Sequence, residues 1–357
     1  MTHTSALADR SARAALSLLA GLNILFVLAL LIGLAAGARH ARADDLPVCT
    51  GRDLLAEMAA DKPDEMARLR AEADAIPNGK GILWRIEGPA GTKPSFLLGT
   101  MHVSDPRVTA LDPAAQAAYA AAGTVVIETT DVLDQGKMAG AIAAHPELMM
   151  FTDDTTLSGL LPEADRAAVE EGLARRGLTL DALQKMKPWV VASLVGVPAC
   201  EMARKAAGAP VLDIKLAEEA KAAGKNVEGL ETMIDQLEAM ASLPIGLHVQ
   251  GLVDTLKLGD GIDDLNETMV RIYKSGDTGL FWPFFEAVMP AGASEETSYA
   301  AFQEAMIDAR NRTMAEAAGP ILDKGGAFMA VGALHLAGEQ GLVALLRQRG
   351  YAVEPAE

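Results

Sequence analysis

FLLGTMH, at residues 96–102, and FMAVGALH, at residues 328–335, share one pattern at opposite ends of a 357-residue chain. Each is an apolar run typical of a buried strand that leads into Gly-x-x-His. A helical pattern and a second short apolar run follow both stretches. Because glycine permits a sharp exit from a strand, each histidine is expected at the strand's carboxyl end. The two stretches therefore predict two matching strand–Gly-x-x-His–helix–strand units.

The segments around these units predict an α/β (α+β) fold with a mixed central sheet built from the two half-repeats. The expected strands are residues 82–87, 95–99, 124–127, 226–229, 327–331 and 351–353. Helical patterns at residues 113–122 and 337–349 complete the two units.

Between the units, from about residue 132 to 320, the pattern is mostly helical. The helices expected there are 163–176, 190–206, 213–223, 231–242, 247–256, 262–274 and 297–317. We therefore predict one α/β domain that carries a large helical insertion.

Two glutamates follow apolar strands in the same way as the histidines. Glu128 ends a short run of Val and Ile, and Glu231 comes just after the expected strand at 226–229. Ligand sites in open α/β sheets lie beyond the carboxyl ends of the strands, and a carboxylate is costly to bury there unless it is paired or ligated. With His102 and His335, these carboxylates suit a divalent transition metal that activates water or polarises a carbonyl. A carboxylate that does not bind the metal would act as general base.

Each of these signals also has a structural interpretation. A histidine at the end of a strand more often has a structural role, and Glu231 fits the first turn of a helix, where the dipole favours an acidic residue. His145 and His248 are expected to lie at the surface or to have their ring nitrogens hydrogen-bonded. The chain lacks the motifs of the common serine hydrolases, zincins, NTPases and dehydrogenases. The pairing of two matched units is what favours a functional site.

The N-terminal segment has the features of an export signal. Residues 14–38 contain no charged side chain, basic residues precede them, and Ala-Arg-Ala follows at 41–43. The run is also long enough to span a bilayer of about 30 Å. We predict that residues 1–43 are a signal peptide or an N-terminal membrane anchor. Residues 44–357 would then be exported, and either periplasmic or tethered to the membrane.

Cys49 and Cys200 are the two cysteines of the chain, and both lie in the part expected to be exported. An oxidising compartment favours a disulfide between them. Such a bond would close a loop of roughly 150 residues and contribute on the order of 5 kcal/mol in the chain-entropy model. Two buried free thiols are the alternative.

The composition favours a globular protein and says little about partners. Hydrophobic residues make up 50% of the chain, which is ample for a packed core. The formal net charge of −17 argues against a general nucleic-acid binder, which needs a basic face. No nucleic-acid partner is expected.

Taken in order, the motifs resemble the TraB/GumN family, which includes the Tiki metalloproteases. The resemblance covers roughly residues 80–355. The matching segments are GTMH at 99–102, VIE at 126–128, KPW at 187–189, GLET at 229–232 with Gln236, Arg310-Asn311, VGALHL at 331–336, and the ending from GLV at 341–343 to Gly350-Tyr351. Their order and spacing are more specific than any single motif.

The resemblance implies a mixed α/β core and, in the Tiki branch, peptide cleavage that depends on manganese or cobalt. By position, it makes His102, Glu128 and His335 the candidate metal ligands. Glu231 and Arg310 would be catalytic or would hold the ligands in place. The planar guanidinium of Arg310 suits a carboxylate or an oxyanion, with an ion pair on a helix face as the alternative.

One further position is left open by the resemblance. Asp213 stands where the family often has a Gly-hydrophobic-Asp step, but Gly208 is displaced here and Pro210 intervenes. The role of Asp213 is therefore not assigned.

Two functions remain open at this point. The first is an exported metal-dependent peptidase-like hydrolase of the TraB/GumN type that acts on a peptide or protein in the cell envelope. The second is a non-catalytic envelope protein that binds or sequesters a peptide, or supports polysaccharide production. The sequence does not decide whether the chain is an enzyme.

Overall fold

The computed structural model describes residues 47–288 and 296–356. The predicted leader, with its apolar run at 14–38, lies outside the described residues. Within the described part of the chain, no helix is both long and apolar enough to cross a membrane.

The chain divides into two compact units. The larger one consists of residues 48–201 and 210–357. Of the smaller one, the structure describes Pro47 and residues 202–209, where Arg204 Nε donates to the Pro47 carbonyl oxygen at 2.8 Å. The sheet and the candidate site belong to the larger unit.

The sheet of the larger unit has six strands. In chain order they are β1 Leu83–Glu87, β2 Ser95–Thr100, β3 Thr124–Ile127, β4 Asn226–Gly229, β5 Ala327–Gly332 and β6 Ala352–Pro355. Their order in the sheet is β4-β3-β5-β2-β1-β6. β1 is antiparallel to β2 and β6, whereas β2, β5, β3 and β4 pair in parallel. The carboxyl ends of these four strands therefore meet at one edge, and the predicted mixed α/β fold is confirmed.

Helices cover the sheet and fill the middle of the chain. In chain order they are α1 Leu54–Asp61, α2 Pro63–Ala75, α3 Pro106–Thr109, α4 Pro113–Ala121, α5 Gln135–Ala144, α6 Pro146–Met149, α7 Leu157–Leu160, α8 Glu163–Arg175, α9 Pro188–Val195, α10 Ala199–Ala206, α11 Leu212–Ala222, α12 Met233–Ala241, α13 Ile245–Leu258, α14 Gly261–Ser275, α15 Phe281–Val288, α16 Glu296–Gln303, α17 Ala309–Leu322 and α18 Leu342–Gln348. A π-helical segment, Glu304–Asp308, joins α16 to α17.

The alternation of side chains along the strands divides the core into two layers. On one face, Leu97 and Met329 belong to a buried cluster with side chains of α17 and α18. On the other face, Leu98 and Phe328 belong to a cluster with α4 and α11. Burial of each such side chain contributes roughly 1.5–3 kcal/mol. Packing on both faces holds the strands, and hence the residues that follow them, in fixed positions.

The helical middle of the chain has an apolar core of its own. Leu173 of α8, Val191 of α9 and Leu252 of α13 are buried together in it. This core supports α13, which lies after β4 in the chain.

The bounds of several predicted helices differ from those in the structure, and for two of them the cause can be read from the sequence. The helix expected at 190–206 is divided into α9 and α10, because Gly196 and Pro198 lie between them. The helix expected at 337–349 begins at Leu342, since a 3₁₀ turn at Ala333–His335 and Gly338, with φ of 93°, precede it.

Cys49 and Cys200 form the predicted disulfide, with Cα atoms 5.3 Å apart, so the free-thiol alternative is wrong. Glu201, the next residue, is buried and accepts hydrogen bonds from the backbone nitrogen and the hydroxyl of Ser104, at 2.9 and 2.8 Å. The disulfide is thereby linked to the loop that follows β2.

Candidate metal centre

Each of the four parallel strands β4, β3, β5 and β2 is followed by one of the predicted site residues. His102 follows β2, Glu128 follows β3, Glu231 follows β4, and His335 ends the 3₁₀ turn after β5. Because these strands are neighbours, the side chains are brought to the same edge of the sheet. Arg310, from the first turn of α17, completes the set.

Glu128 lies at the centre of this group. Its Oε1 atom is 3.8 Å from His102 Nε2 and 3.9 Å from His335 Nε2. The same oxygen accepts a hydrogen bond of 2.7 Å from the backbone nitrogen of Gly332. Both imidazole rings therefore turn the same nitrogen towards one carboxylate oxygen.

A hydrogen bond determines which nitrogen of the neutral His335 ring carries the proton. Asn311 Nδ2 donates to the Gln340 carbonyl oxygen at 2.8 Å, so Asn311 Oδ1 faces His335 Nδ1, at 2.7 Å. Because an amide oxygen only accepts, the proton lies on Nδ1 and the lone pair of Nε2 points into the site. Burial lowers the pKa of His335 to about 4, which keeps the ring neutral.

His102 has the opposite electrostatic environment. Its side chain is 58% exposed, and Nδ1 lies 3.2 Å from Oδ1 of Asp213, at the start of α11. Desolvation at the inner side of the ring disfavours the charged form. The hydrogen bond and charge of Asp213, together with the charge of Glu128, outweigh it and raise the pKa of His102 to about 9.

Arg310 joins Glu128 to Glu231. Its Nη2 atom donates to Glu128 Oε2 at 2.6 Å and also to Glu231 Oε1, while Nε lies 3.1 Å from Glu231 Oε1. The Glu231 side chain is 1% exposed, and Gln236 Nε2 donates to Glu231 Oε1 at 2.7 Å and to Glu128 Oε2 at 3.2 Å. Arg310 Nη1 donates to the Met306 carbonyl oxygen in the π-helical segment. The cation is thus held by both carboxylates and by its own helix.

These contacts keep Glu128 ionised. Burial alone would raise the pKa of its carboxyl group, but the positive charges of the two imidazole rings, both protonated in the acid range where Glu128 titrates, the guanidinium of Arg310 and the Gly332 N–H outweigh burial and lower the pKa to about 2. The carboxylate is therefore available as an anionic ligand over the physiological pH range.

The donor set fits a divalent transition metal. Two imidazole nitrogens and a carboxylate oxygen face one another, and both nitrogen–oxygen separations are shorter than twice a metal–ligand bond of about 2.1 Å. Asp213 and Asn311 hold the outer ring nitrogens, an arrangement usual for metal-binding histidines. Among the described residues, no three His, Cys, Asp or Glu side chains already stand at the closer spacing of a complete metal site.

The structure also shows which residues sequence reasoning placed incorrectly or left out. Glu231 is not in the first turn of a helix, because Thr232 is the N-cap of α12. Asp213, left unassigned, holds His102. Asn311 and Gln236 were known only from the matching segments. Asn311 contacts His335, and Gln236 contacts both Glu128 and Glu231. Two features of the sequence could have indicated these roles: the position of Asp213 in the first turn of α11, and that of Asn311 next to Arg310. His145 is exposed and faces Glu147, as expected of a surface residue.

Comparison with known proteins supports the resemblance read from the motifs. The model of the TraB/PrgY/gumN family matches residues 82–355. Metalloprotease TIKI2 of Danio rerio is 26% identical over 323 residues, and the match covers 76% of this chain and 60% of that relative. The chain thus spans about three fifths of the length of this distant homologue. No solved structure matches the chain. With a family match that includes every residue of the candidate metal centre, the chain belongs to the TraB/PrgY/gumN family.

Proposed function

We propose that the chain is an exported, metal-dependent, peptidase-like hydrolase that acts on a peptide or protein in the cell envelope. The observation that carries the proposal is the approach of two imidazole nitrogens, from His102 and His335, to one oxygen of Glu128. The name of the homologue TIKI2, a metalloprotease, supports the same reaction class.

His102, Glu128 and His335 would hold the metal. Manganese and cobalt are the candidates that the family resemblance suggests, and both accept nitrogen and carboxylate donors. When bound, such an ion polarises a carbonyl and lowers the pKa of water at an open coordination position.

The residues around the ligands have positioning roles in this proposal. Asp213 orients the ring of His102, and Asn311 orients that of His335. Arg310 fixes Glu128 from the side opposite the histidines. We assign Glu231 to the same positioning group, because its buried carboxylate already accepts hydrogen bonds from Arg310 and Gln236. A substrate would approach on the exposed side of His102.

Each of the two Gly-x-x-His units contributes one histidine to the proposed metal site. β2 and β5 are adjacent and parallel, Thr100 pairs with Gly332, and each unit contributes one histidine. The connection from β2 to β3 passes one strand of the sheet, whereas that from β5 to β6 passes two. The units therefore share a pattern and a function, although their places in the sheet differ.

Export is supported by the disulfide and by the sequence of the N-terminal segment. Structural disulfides persist in oxidising compartments such as the periplasm, and Cys49–Cys200 closes a separation of 151 residues. The predicted leader at residues 1–43 provides the route. A substrate in the cell envelope follows from that location.

The test is hydrolysis of a peptide mixture by the purified protein with manganese, with cobalt or with a chelator, together with metal content by mass spectrometry. We expect a bound divalent ion, cleavage that the chelator abolishes, and loss of both in His335→Ala. His145→Ala is the matched control, because it removes an exposed histidine outside the site.

Cleavage that survives both chelation and His102→Ala would overturn the proposal. A stoichiometric metal without cleavage of any peptide would overturn the hydrolase and favour a binding protein instead.

A further inference from the structure

The six-stranded sheet has two edge strands, β4 and β6, and their outer edges differ. Along a strand at the edge of a sheet, alternate residues direct their N–H and C=O groups to the neighbouring strand, and the residues between direct theirs outward. Outward groups without partners are a template on which a further strand can pair, and proteins usually block them. The state of each edge therefore shows whether it can bind another extended chain.

The outer edge of β6 is blocked. Ala356 N donates to the Leu83 carbonyl oxygen at 2.9 Å, so Val353 and Pro355 are the residues that face outward. The Val353 carbonyl oxygen already accepts hydrogen bonds from Nε and Nη2 of Arg347, at 2.8 and 2.6 Å. Pro355 has no N–H to donate. A further strand therefore cannot form a regular ladder with β6.

The outer edge of β4 is open. Asn226 and Leu230 donate their backbone N–H groups to carbonyl oxygens of the chain segment that forms β3, at 3.1 and 3.2 Å. Val227 and Gly229 therefore face outward, and within residues 47–288 and 296–356 their N–H and C=O groups have no partner outside the sheet. Gly229 is exposed and Val227 is half-buried. The chain thus leaves this edge of the sheet free to pair.

The chemistry of this edge defines what can occupy it. Two N–H groups and two C=O groups alternate along it, and an extended peptide backbone is the partner that matches all of them. Between the two outward residues lies Glu228, whose carboxylate accepts a hydrogen bond from Asn226 Nδ2 at 2.9 Å and forms no ion pair with a described residue. A lysine or arginine directly opposite Glu228 would form a cross-strand charge pair. The edge therefore favours an extended segment that carries a basic side chain.

A second copy of the chain is a less favourable occupant. Two antiparallel β4 strands satisfy all their outward groups only when Val227 of each copy lies opposite Gly229 of the other. That register places Glu228 directly opposite its counterpart, and like charges in this position destabilise a strand pair. The formal net charge of −17 adds a general repulsion between copies.

The edge is within reach of the candidate metal centre. A strand added to β4 would lie two strand spacings, about 10 Å, from β3, whose carboxyl end carries Glu128. Four further residues of an extended chain span about 13 Å. One peptide can therefore pair with β4 and extend to the candidate metal ligands.

We propose that the outer edge of β4 is a docking site for an extended segment of the peptide substrate, with a lysine or arginine opposite Glu228. The proposal rests on the proposed peptidase function and names the conformation and charge of the substrate. The N–H and C=O groups of Val227 and Gly229 bind the backbone of this segment as a seventh strand. Glu228 selects its side chain.

The first test follows the backbone amides of β4 by hydrogen exchange in NMR. The full chain is used with its metal removed, so that the readout does not depend on hydrolysis. The probes are two short capped peptides in which valine alternates with lysine or with glutamate. At saturating lysine peptide we expect exchange at Val227 and Gly229 to slow by about tenfold or more, because exchange requires the new hydrogen bonds to open. Asn226 and Leu230, already bonded to the β3 segment, should change little.

A matched pair of variants assigns the binding to the backbone edge. Val227→Pro removes an outward N–H that the sheet does not use, and proline is tolerated at such positions of edge strands. Val227→Ala removes the same side chain but keeps the N–H. We expect calorimetry to show lysine-peptide binding about tenfold weaker in Val227→Pro than in Val227→Ala.

A second pair of variants tests the role of Glu228. The parent should bind the lysine peptide about fivefold more tightly than the glutamate peptide, and Glu228→Lys should reverse this preference. Glu354→Lys is the control, because it makes the same change of net charge at an exposed position of the blocked strand β6. It should leave the preference unchanged.

Fast exchange at Val227 and Gly229 with the lysine peptide in excess, or equal binding by Val227→Pro and Val227→Ala, would overturn the docking site. Slow exchange that grows with protein concentration and needs no peptide would identify a second copy as the occupant, and would overturn it as well. Binding that Val227→Pro weakens, in a protein that hydrolyses no peptide, would uphold the docking site and overturn only the peptidase function.

Discussion

At the scale of single residues, His102 has a carboxylate as its hydrogen-bond partner and His335 has an amide oxygen. The effect of the carboxylate on the pKa of His102 can be measured. In the metal-free protein, we expect Asp213→Asn to lower the pKa of His102 from about 9 towards the usual value of about 6.5. The variant removes the carboxylate charge, while the desolvation that disfavours the charged ring remains. The ring proton shifts of His102 in an NMR pH titration check this, with His145 as internal control. A pKa that stays near 9 would contradict it.

The same pKa predicts how the stability of the metal-free protein depends on pH. Because the pKa of His102 is raised in the folded state, protonation of its ring stabilises the fold. This contribution is fully present below pH 6.5 and is lost as the pH rises to 9. Urea unfolding of the parent and Asp213→Asn proteins should therefore differ more at pH 6 than at pH 9.5. Equal differences at the two pH values would contradict the assignment.

Gly332 is the residue whose size limits the site. An added Cβ would lie 3.2 Å from Glu128 Oε1, closer than most real Cβ contacts, and in ordinary van der Waals contact with His335 Cδ2 at 3.5 Å. Since the backbone of Gly332 suits any residue, we expect Gly332→Ala to fold but to bind the metal about tenfold more weakly, as changes next to metal ligands do. Gly123→Ala, with no atom near its added Cβ, is the control in the metal titration. Unchanged affinity in Gly332→Ala would contradict the site's position.

At the scale of elements, Arg310 is the connection between α17 and the ends of β3 and β4. Arg310→Leu would leave Glu128 and Glu231 buried without their cation, so we expect the free energy of unfolding to fall by about 3–5 kcal/mol. Urea denaturation of the metal-free protein measures the change. Arg68→Ala, which removes an exposed ion pair with Glu72 four residues along α2, should cost no more than about 0.5 kcal/mol. Similar losses in both variants would contradict a special role for Arg310.

The strands could be predicted because each is a short apolar run bounded by turn residues. The start of α12 could also have been read, since Thr232 and Asp235 form a capping box there and leave Glu231 outside the helix. The order of the strands could not be predicted. β5 lies between β2 and β3 through pairing across more than 200 residues, and no local signal specifies such a partner.

The candidate metal ligands could be predicted from the sequence, but the residues that hold them in place could not. His102 and His335 were recognisable because each follows a glycine at the end of an apolar run. Asn311 reaches His335 from a helix that packs on the sheet, and Asp213 reaches His102 from α11. Contacts of this kind depend on how helices pack, which the local sequence does not encode.

At the scale of the whole molecule, the disulfide is the single covalent link between distant parts of the chain. We expect the double variant Cys49→Ser and Cys200→Ser to lose about 5 kcal/mol of unfolding free energy, because the bond restricts a loop of 151 residues in the unfolded state. Denaturant unfolding of the variant and of the parent, with and without reductant, tests this. A loss below about 1 kcal/mol would contradict the prediction.

The disulfide would make metal binding depend on whether the compartment is reducing or oxidising. Cys200 precedes Glu201, which accepts hydrogen bonds from Ser104, two residues beyond the candidate metal ligand His102. In a reducing compartment the chain would retain its ligands but lose the covalent support of the loop that carries one of them. Metal binding would then be weakest where the chain is synthesised and strongest where thiols are oxidised. Under the proposed function, the bond would keep the candidate metal centre incomplete until the chain reaches an oxidising compartment.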